Sequence, residues 1–120
     1  MKRMLLAAAS AAVLALGSAP ASAANPGVTA AQLQSICESN ETSDRQSCLD
    51  YISGASDALT RINQYLYSKR EAVFCQPGYT ITHNTLVSIT DSYIREHPEV
   101  LNHNASDAVT LAVMQTWPCR

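Results

Sequence analysis

The chain holds four cysteines, and their chemistry limits what so short a sequence can fold into: Cys37, Cys48, Cys75 and Cys119. Four cysteines can form a metal site, a redox pair or two disulfides, and the compartment selects among these. No CxxC pair is present, and the spacings of 11, 27 and 44 residues fit no zinc-finger pattern. The compartment is therefore the next question.

The first 23 residues have the pattern of a cleaved secretory signal. Lys2 and Arg3 form a positive start, and residues 5–16 are uncharged and apolar. Ala21-Ser22-Ala23 gives the small-x-small pattern of a signal peptidase site. The apolar stretch is too short for a transmembrane helix, so we expect no membrane insertion once the signal is removed.

We therefore predict a cleaved signal over residues 1–23 and a single domain over residues 24–120. The Ala-rich signal is typical of Gram-negative bacteria, which predicts a periplasmic protein. Without Lys2 and Arg3, six basic residues face ten acidic ones, a net charge of −4. This charge provides no electrostatic basis for binding nucleic acid.

Export also bears on the cysteines. A domain of about 97 residues buries only about 60–65% of its unfolded surface and needs additional stabilisation. In an oxidising compartment, paired cysteines are the ordinary source of it. We therefore predict two disulfides rather than a metal site.

The second predicted helix has the clearest pattern. Six residues are spaced 4, 3, 4, 3 and 4 apart, which gives one apolar helical face: Cys48, Ile52, Ala55, Leu59, Ile62 and Leu66. Ser43 and Gln46 form a capping box at its start. Gly54 lies inside it at a cost of about 1 kcal/mol relative to Ala. We interpret this glycine as marking a neighbour packed close against the backbone.

Three further helices are predicted, over residues 29–38, 80–96 and about 105–117. Thr29 and Gln32 form a capping box for the helix at residues 29–38. Pro98 ends the helix at residues 80–96, and Asn104 caps the helix that starts near residue 105. Residues 98–101 are predicted to form one further turn. The predicted inward residues are Leu86, Ile89, Thr90, Tyr93 and Ile94, followed by Ala105, Ala108, Val109, Ala112, Val113 and Trp117. The predicted fold class is all-α, a small up-and-down bundle of about four helices braced by two disulfides.

The topology selects the disulfide pairing. Short loops favour antiparallel neighbouring helices, so Cys37 and Cys48 face each other across a hairpin. The second helix then carries the chain about 30 Å away. Cys75 lies at that far end, and two further helices bring Cys119 back to it. We predict the pairs Cys37–Cys48 and Cys75–Cys119.

Catalytic patterns are absent from the sequence. No GxSxG or similar nucleophile motif occurs. The three histidines, His83, His97 and His103, lack metal-ligand spacing. We therefore predict a binding protein rather than an enzyme, with no cofactor and no metal.

Four short motifs in a fixed order give a resemblance to a known family. They are C-x2-Y-x2-G-x2-D from Cys48 to Asp57, C-x-P-G from Cys75 to Gly78, Y-x3-H-P-E from Tyr93 to Glu99, and W-P-C from Trp117 to Cys119. With the signal and all four cysteines, this set resembles the Rap/Tai family of periplasmic immunity proteins associated with type VI secretion. The resemblance implies a small helical protein that binds a secreted peptidoglycan amidase, a cysteine amidase, and occludes its active-site cleft. It also implies that the protein is often a homodimer.

The resemblance does not identify the residues that contact the toxin, so we expect them on polar loops outside the apolar faces. Residues 97–104 are the first choice and residues 38–44 the second. The candidate partner-binding residues are His97, Asn102, His103, Asn104 and Glu41. For a homodimer, the outward-facing candidates are Tyr65, Tyr67 and Phe74.

An alternative function also follows from a small exported helical domain. The protein could be a periplasmic stress chaperone, in which ten carboxylates lose their charge below about pH 4 and expose an apolar surface. It could also be an envelope-associated binding protein without a toxin partner.

Overall fold

The computed structural model describes residues 27–119, and the predicted signal over residues 1–23 lies outside them. Four α-helices follow in chain order: α1 (Ala30–Cys37), α2 (Thr42–Ser68), α3 (His83–Glu96) and α4 (Ala105–Thr116). A turn of 3₁₀ helix, Pro98–Val100, follows α3 as predicted. Within residues 27–119 the only β pairing is an isolated bridge between Thr29 and Asn104. The all-α, four-helix prediction is confirmed.

Both predicted disulfides are present. Cys37 bonds to Cys48 and Cys75 bonds to Cys119. The first crosslink joins the end of α1 to the second turn of α2. The second joins the connection between α2 and α3 to the residues after α4. The predicted route of the chain through the bundle is therefore correct.

The predicted cap of α1 is confirmed, and that of α2 is wrong. Thr29 Oγ1 accepts from Gln32 N at 3.2 Å, and Gln32 Oε1 accepts from Thr29 N at 2.9 Å. The N-cap of α2 is Glu41, whose side chain makes no capping bond. Ser39 acts instead, because its hydroxyl accepts from Glu41 N at 3.1 Å and donates to an Asp44 carboxylate oxygen at 2.7 Å. The N-cap of α2 therefore lies two residues before the predicted cap, Ser43.

The apolar face predicted for α2 is correct in its first half and wrong at Ile62. Cys48 and Ile52 are buried, whereas 58% of Ile62 is exposed. Asn63 takes the inward position instead and is only 6% exposed. The cause is the difference in helix length: α2 has 27 residues and α3 only 14. The last turns of α2 therefore pack against the irregular connection, residues 69–82, rather than against a helix.

Two further expectations about individual residues are wrong. Phe74, expected to face outward, is 2% exposed and lies in the main apolar cluster. Gly54 was expected beside a closely packed neighbour, but a Cβ built there meets no atom within 4 Å. The glycine faces open space on the outer side of α2.

The third helix starts at His83 rather than near residue 80, because Thr82 is its N-cap and accepts from Thr85 N at 3.2 Å. Its residues Leu86, Thr90 and Ile94 are buried, as predicted, while Ile89 and Tyr93 are partly buried. Asn104 holds the predicted N-cap position of α4, but its side chain makes no capping bond. All six predicted inward residues of the last helical segment, Ala105 through Trp117, are buried.

The core consists of two apolar clusters. The larger contains Leu33, Ile52, Phe74, Val109 and Trp117, together with neighbours from every helix. The smaller joins Ala30 of α1 to Ile94, Val100 and Ala108. No helix within residues 27–119 is both long enough and apolar enough to cross a bilayer.

Candidate partner-binding surface

The loop at residues 97–104 is attached to the start of α1 by backbone hydrogen bonds. Ala30 N donates to His103 O at 2.9 Å, and Ala31 N donates to Leu101 O at 3.0 Å. On the other side, Ala105 N donates to Val28 O at 2.7 Å. These bonds give the loop a fixed position although it has only a single turn of helix. Its tip is therefore presented to solvent on a rigid support.

The structure separates the four predicted residues of this loop into two kinds. Asn102, His103 and Asn104 are exposed at the tip. His97 is half-buried and has local contacts: its ring stacks on Tyr93 with centroids 4.2 Å apart, and its Nδ1 lies 3.1 Å from Glu99 Oε1. His97 thus closes α3, while the other three are free to meet a partner.

Glu41 lies at the opposite end of α1. The loop that carries Glu41 covers residues 38–41 and is shorter than the predicted loop of residues 38–44. The Glu41 side chain is exposed. Since α1 has eight residues, it separates the two loops by about 12 Å. The five predicted residues therefore share one end of the molecule but do not form a single cluster.

A charged cluster that we did not predict lies beside Glu41. Arg95 Nη2 is 2.8 Å from Glu38 Oε1 and 3.1 Å from Asp91 Oδ2, and its Nε donates to the same Glu38 oxygen at 2.9 Å. The hydrogen bond from Arg95 lowers the pKa of Glu38, whereas burial and the neighbouring Glu38 raise the pKa of Asp91. Asp91 Oδ1 is buried and has no hydrogen-bond partner among the described residues. The cluster fixes the 38–41 loop to α3.

The i, i+4 spacing of Asp91 and Arg95 is visible in the sequence and could have indicated half of this cluster. Glu38 is 57 residues away from Arg95 along the chain. No local pattern indicates that contact, since it depends on how α1 packs against α3.

The carboxylates of the protein concentrate around α1. We call this region the acidic end: the 38–41 loop, the first three turns of α2, the last two turns of α3, and residues 97–107. It contains eight carboxylates and two arginines, a formal charge of −6: Glu38, Glu41, Asp44, Asp50, Asp91, Glu96, Glu99 and Asp107 against Arg45 and Arg95. The rest of residues 27–119 contains two acidic residues, Asp57 and Glu71, and three basic residues, Arg61, Lys69 and Arg70. The modest net charge is therefore distributed unevenly, with most of the negative charge at the acidic end.

The acidic end presents groups that can bind a protein partner. Among residues 27–119, no three His, Cys, Asp or Glu side chains converge in a geometry that could hold a metal ion. On its two loops, the exposed groups include carboxylates, amides and the imidazole of His103. Such a surface can pair with basic and hydrogen-bonding groups of a protein partner.

Comparison with known proteins gives one result. No curated protein and no solved structure matches the chain. The family model of the Rap1a immunity proteins matches residues 29–119, which begin at the capping residue of α1 and end at the last cysteine. This range covers most of the chain and includes both disulfides. The protein therefore belongs to the Rap1a immunity protein family.

Proposed function

We propose that this immunity protein acts in the periplasm and neutralises a peptidoglycan-cleaving cysteine amidase delivered by type VI secretion. In this proposal it binds the effector and occludes the active-site cleft, with no catalytic activity or cofactor of its own. Membership of the family supports protection against a secreted effector. The signal pattern of residues 1–23 and the two disulfides support an oxidising, exported location.

The acidic end is the observation that supports this function most directly. An inhibitor that works by occlusion needs projecting groups held in place before binding, because ordering a mobile loop reduces affinity. The loops at residues 38–41 and 97–104 meet this need through their bonds to α3 and α1. A local charge of −6 also favours approach to a basic surface. We infer that the acidic end contacts the effector.

Co-expression with an amidase effector from an adjacent gene tests the proposal. The amidase directed to the periplasm should lyse cells, and this chain should restore growth and co-purify with the enzyme. The double change Glu41→Lys and Asn102→Lys should reduce both growth and complex formation. The double change Gln64→Lys and Glu71→Lys, the same charge change at exposed positions away from the acidic end, is the matched control and should retain both.

Normal growth of the double variant would show that the acidic end is not the contact. Failure of the unaltered chain to rescue growth or bind any adjacent effector would contradict the proposed function itself. In that case, suppression of client aggregation at low pH would favour a stress chaperone.

We also propose that the protein is a homodimer formed through the outer face of α2. Gly54, Ala58, Ile62 and Tyr65 follow one another along this face with spacings of 4, 4 and 3. Ile62 and Tyr65 are 58% and 65% exposed. If two α2 helices cross antiparallel near Ala58, each Ile62 lies opposite the open space beside the partner's Gly54. This complementarity of size supports a close approach of the two helices.

Charge along α2 favours the same antiparallel arrangement. Its first part carries Asp44, Asp50 and Asp57 with one arginine, whereas its last part carries Arg61 and is followed directly by Lys69. Opposite orientation of two copies brings these unlike charges together. The molar mass of the purified chain, measured by light scattering, should be that of two copies.

A further inference from the structure

A groove at the opposite side of the molecule from the acidic end has no role in the proposed function. It lies between α2, the 69–82 connection and the start of α3, and its volume is about 620 Å³. Phe74 and Trp117 form part of its floor. Asp57, Gln76, Tyr79 and His83 contribute polar groups to its walls. Pockets of this volume are in the range that holds small ligands.

The groove is held open by contacts that fix an otherwise irregular segment. The Cys75–Cys119 disulfide and a hydrogen bond from Cys75 N to Trp117 O at 2.9 Å attach the connection to the end of α4. Trp117 Nε1 also donates to the Tyr79 hydroxyl at 2.9 Å. Tyr79 is 63% exposed, yet this bond holds its ring at the groove. A ligand would therefore meet a preformed site and would not have to order the connection.

The side chains around the groove exclude several ligand classes. Among the described residues, no lysine or arginine lines it, so it offers no permanent positive charge to a phosphate or carboxylate ligand. Seven of the fifteen lining residues carry polar side chains, and this mixed lining is unsuited to a lipid chain. Its ionisable carboxylate and imidazole, Asp57 and His83, stand beside several neutral hydrogen-bonding groups.

The remaining ligand class is neutral, with many hydrogen-bonding groups and some apolar surface. Asp57 can accept hydrogen bonds, whereas Gln76 and His83 can each donate and accept. The Tyr79 hydroxyl accepts a hydrogen bond from the Trp117 indole N–H, so its own proton remains available to donate. A sugar ring presents hydroxyls at its edge and C–H groups on its faces, which match the polar walls and the aromatic rings respectively.

We propose that this groove binds a neutral sugar unit of an oligosaccharide. The proposal stands apart from effector binding: it involves another side of the molecule and another class of ligand. An immunity protein with this site would bind glycan and its protein partner at separate surfaces.

Nuclear magnetic resonance titration of the disulfide-bonded mature chain tests the proposal. The probes are cellotriose, maltotriose and N-acetylchitotriose, each added to isotope-labelled protein. At least one should cause saturable amide shifts confined to residues 56–60, 74–86 and 113–117. Asp57→Ala should weaken that binding by about tenfold, the expected loss for a hydrogen bond to a charged group. Tyr79→Phe should weaken it by a smaller factor.

Asp50→Ala is the matched control, since it removes the same charge from the same helix two turns away from the groove. It should leave sugar affinity unchanged, and well-dispersed spectra of all variants show that they fold. Absence of shifts with all three sugars, or shifts outside the groove, would overturn the proposal. Arginine amide is the competing probe: if it alone shifts the groove residues, the occupant is a cationic side chain and the sugar proposal is wrong. These outcomes leave growth rescue by the chain unaffected and so do not bear on the proposed function.

Discussion

Asn63 shows how a single polar residue can organise a segment that has no regular structure. Its side-chain oxygen accepts from Val73 N at 2.8 Å and from Phe74 N at 3.3 Å, and its amide donates to Phe74 O at 2.9 Å. These bonds satisfy backbone groups that would otherwise be buried without partners. They also place the Phe74 ring in the core. The apolar pattern of α2 predicts Ile62 at this position, because the pattern contains no information about a bonding partner in the connection.

Replacing Asn63 with alanine should destabilise the protein markedly. The change leaves Phe74 O and two backbone N–H groups without their partner, at an expected cost of about 2–3 kcal/mol in the free energy of unfolding. Urea denaturation followed by circular dichroism measures this. Gln64→Ala, at the exposed neighbouring position, should change the free energy by less than about 0.5 kcal/mol. Equal midpoints for the two variants would show that the Asn63 hydrogen bonds contribute nothing net.

Asp91 and Glu38 should influence stability with opposite pH dependence. Burial raises the pKa of Asp91 in the folded state, so its contribution to stability is greatest below the unfolded pKa and is lost as pH rises through the folded one. Hydrogen bonding to Arg95 lowers the pKa of Glu38, so its contribution is present above the unfolded pKa and is lost as pH falls. The Asp91 contribution therefore changes at pH values above the ordinary carboxyl pKa, and the Glu38 contribution changes at pH values below it.

Two amide substitutions separate these contributions. Asp91→Asn should stabilise the protein relative to the original at pH 7, with the difference vanishing below about pH 3. Glu38→Gln should destabilise it at pH 7, and that difference should also vanish in acid. Denaturant unfolding between pH 3 and 7 is the measurement. A destabilised Asp91→Asn variant at pH 7 would mean that the Arg95 ion pair outweighs the cost of burial.

At the scale of helices, local patterns predicted which segments are helical but not where each begins. The spacing of apolar residues located all four, and Thr29 with Gln32 marked the start of α1 correctly. The starts of α2 and α3 differ from the prediction because Ser39 and Thr82 provide the effective hydrogen bonds, although other Ser and Thr residues stand nearby. Choosing among such neighbours requires the backbone angles, which the sequence pattern does not contain.

The outer face of α2 gives a prediction about assembly. Ile62→Glu should convert the proposed dimer to a monomer, because it places an unpaired charge in the centre of the contact between helices. Tyr67→Glu is the control: Tyr67 is 69% exposed, but it lies about 200° further around α2 than Tyr65. It should leave the molar mass unchanged in light scattering. A monomeric unaltered chain would refute the dimer, and loss of the dimer in the Tyr67 variant alone would assign it to another face.

The two disulfides should differ in what their removal costs. The Cys75–Cys119 crosslink spans 44 residues and Cys37–Cys48 spans 11, for which chain entropy predicts about 4 and about 3 kcal/mol respectively. Paired changes to alanine, measured by thermal unfolding, test the order. Removing Cys75–Cys119 should also open the 69–82 connection to limited proteolysis, whereas removing the other pair should not. Equal cleavage in both variants would show that hydrogen bonds, including those of Asn63, hold the connection without the crosslink.

At the scale of the whole molecule, the sequence predicted the fold and the disulfide pairing but not the uneven distribution of charge. The net charge of the mature chain follows from counting residues. The gathering of eight carboxylates around α1 depends on tertiary contacts that bring Glu38 to Arg95 and residues 101–103 to the start of α1. The sequence analysis therefore missed the Glu38–Asp91–Arg95 cluster and the groove beside Tyr79, and the partner-binding role of the loop residues stays a prediction.

The concentration of negative charge at the acidic end gives a prediction about association kinetics. If the acidic end meets a basic effector surface, the association rate should fall about tenfold or more between 20 mM and 500 mM salt, with a much smaller change in dissociation. Stopped-flow fluorescence with the co-purified amidase measures both rates. Glu99→Lys should lower the association rate at low salt, and Glu71→Lys should not. A rate independent of salt would mean that contact relies on shape and hydrogen bonds alone.

The crosslinks also carry a consequence for when the protein becomes functional. Together they contribute about 7 kcal/mol by the chain-entropy estimate, comparable to the entire stability of many domains of this size. A newly synthesised chain in a reducing cytosol lacks both bonds and remains easy to unfold. If the chain is exported, as we propose, that state suits passage through a secretion channel as an extended polypeptide. Oxidation on the far side would then trap the folded form, so that maturation and arrival at the site of protection become a single event.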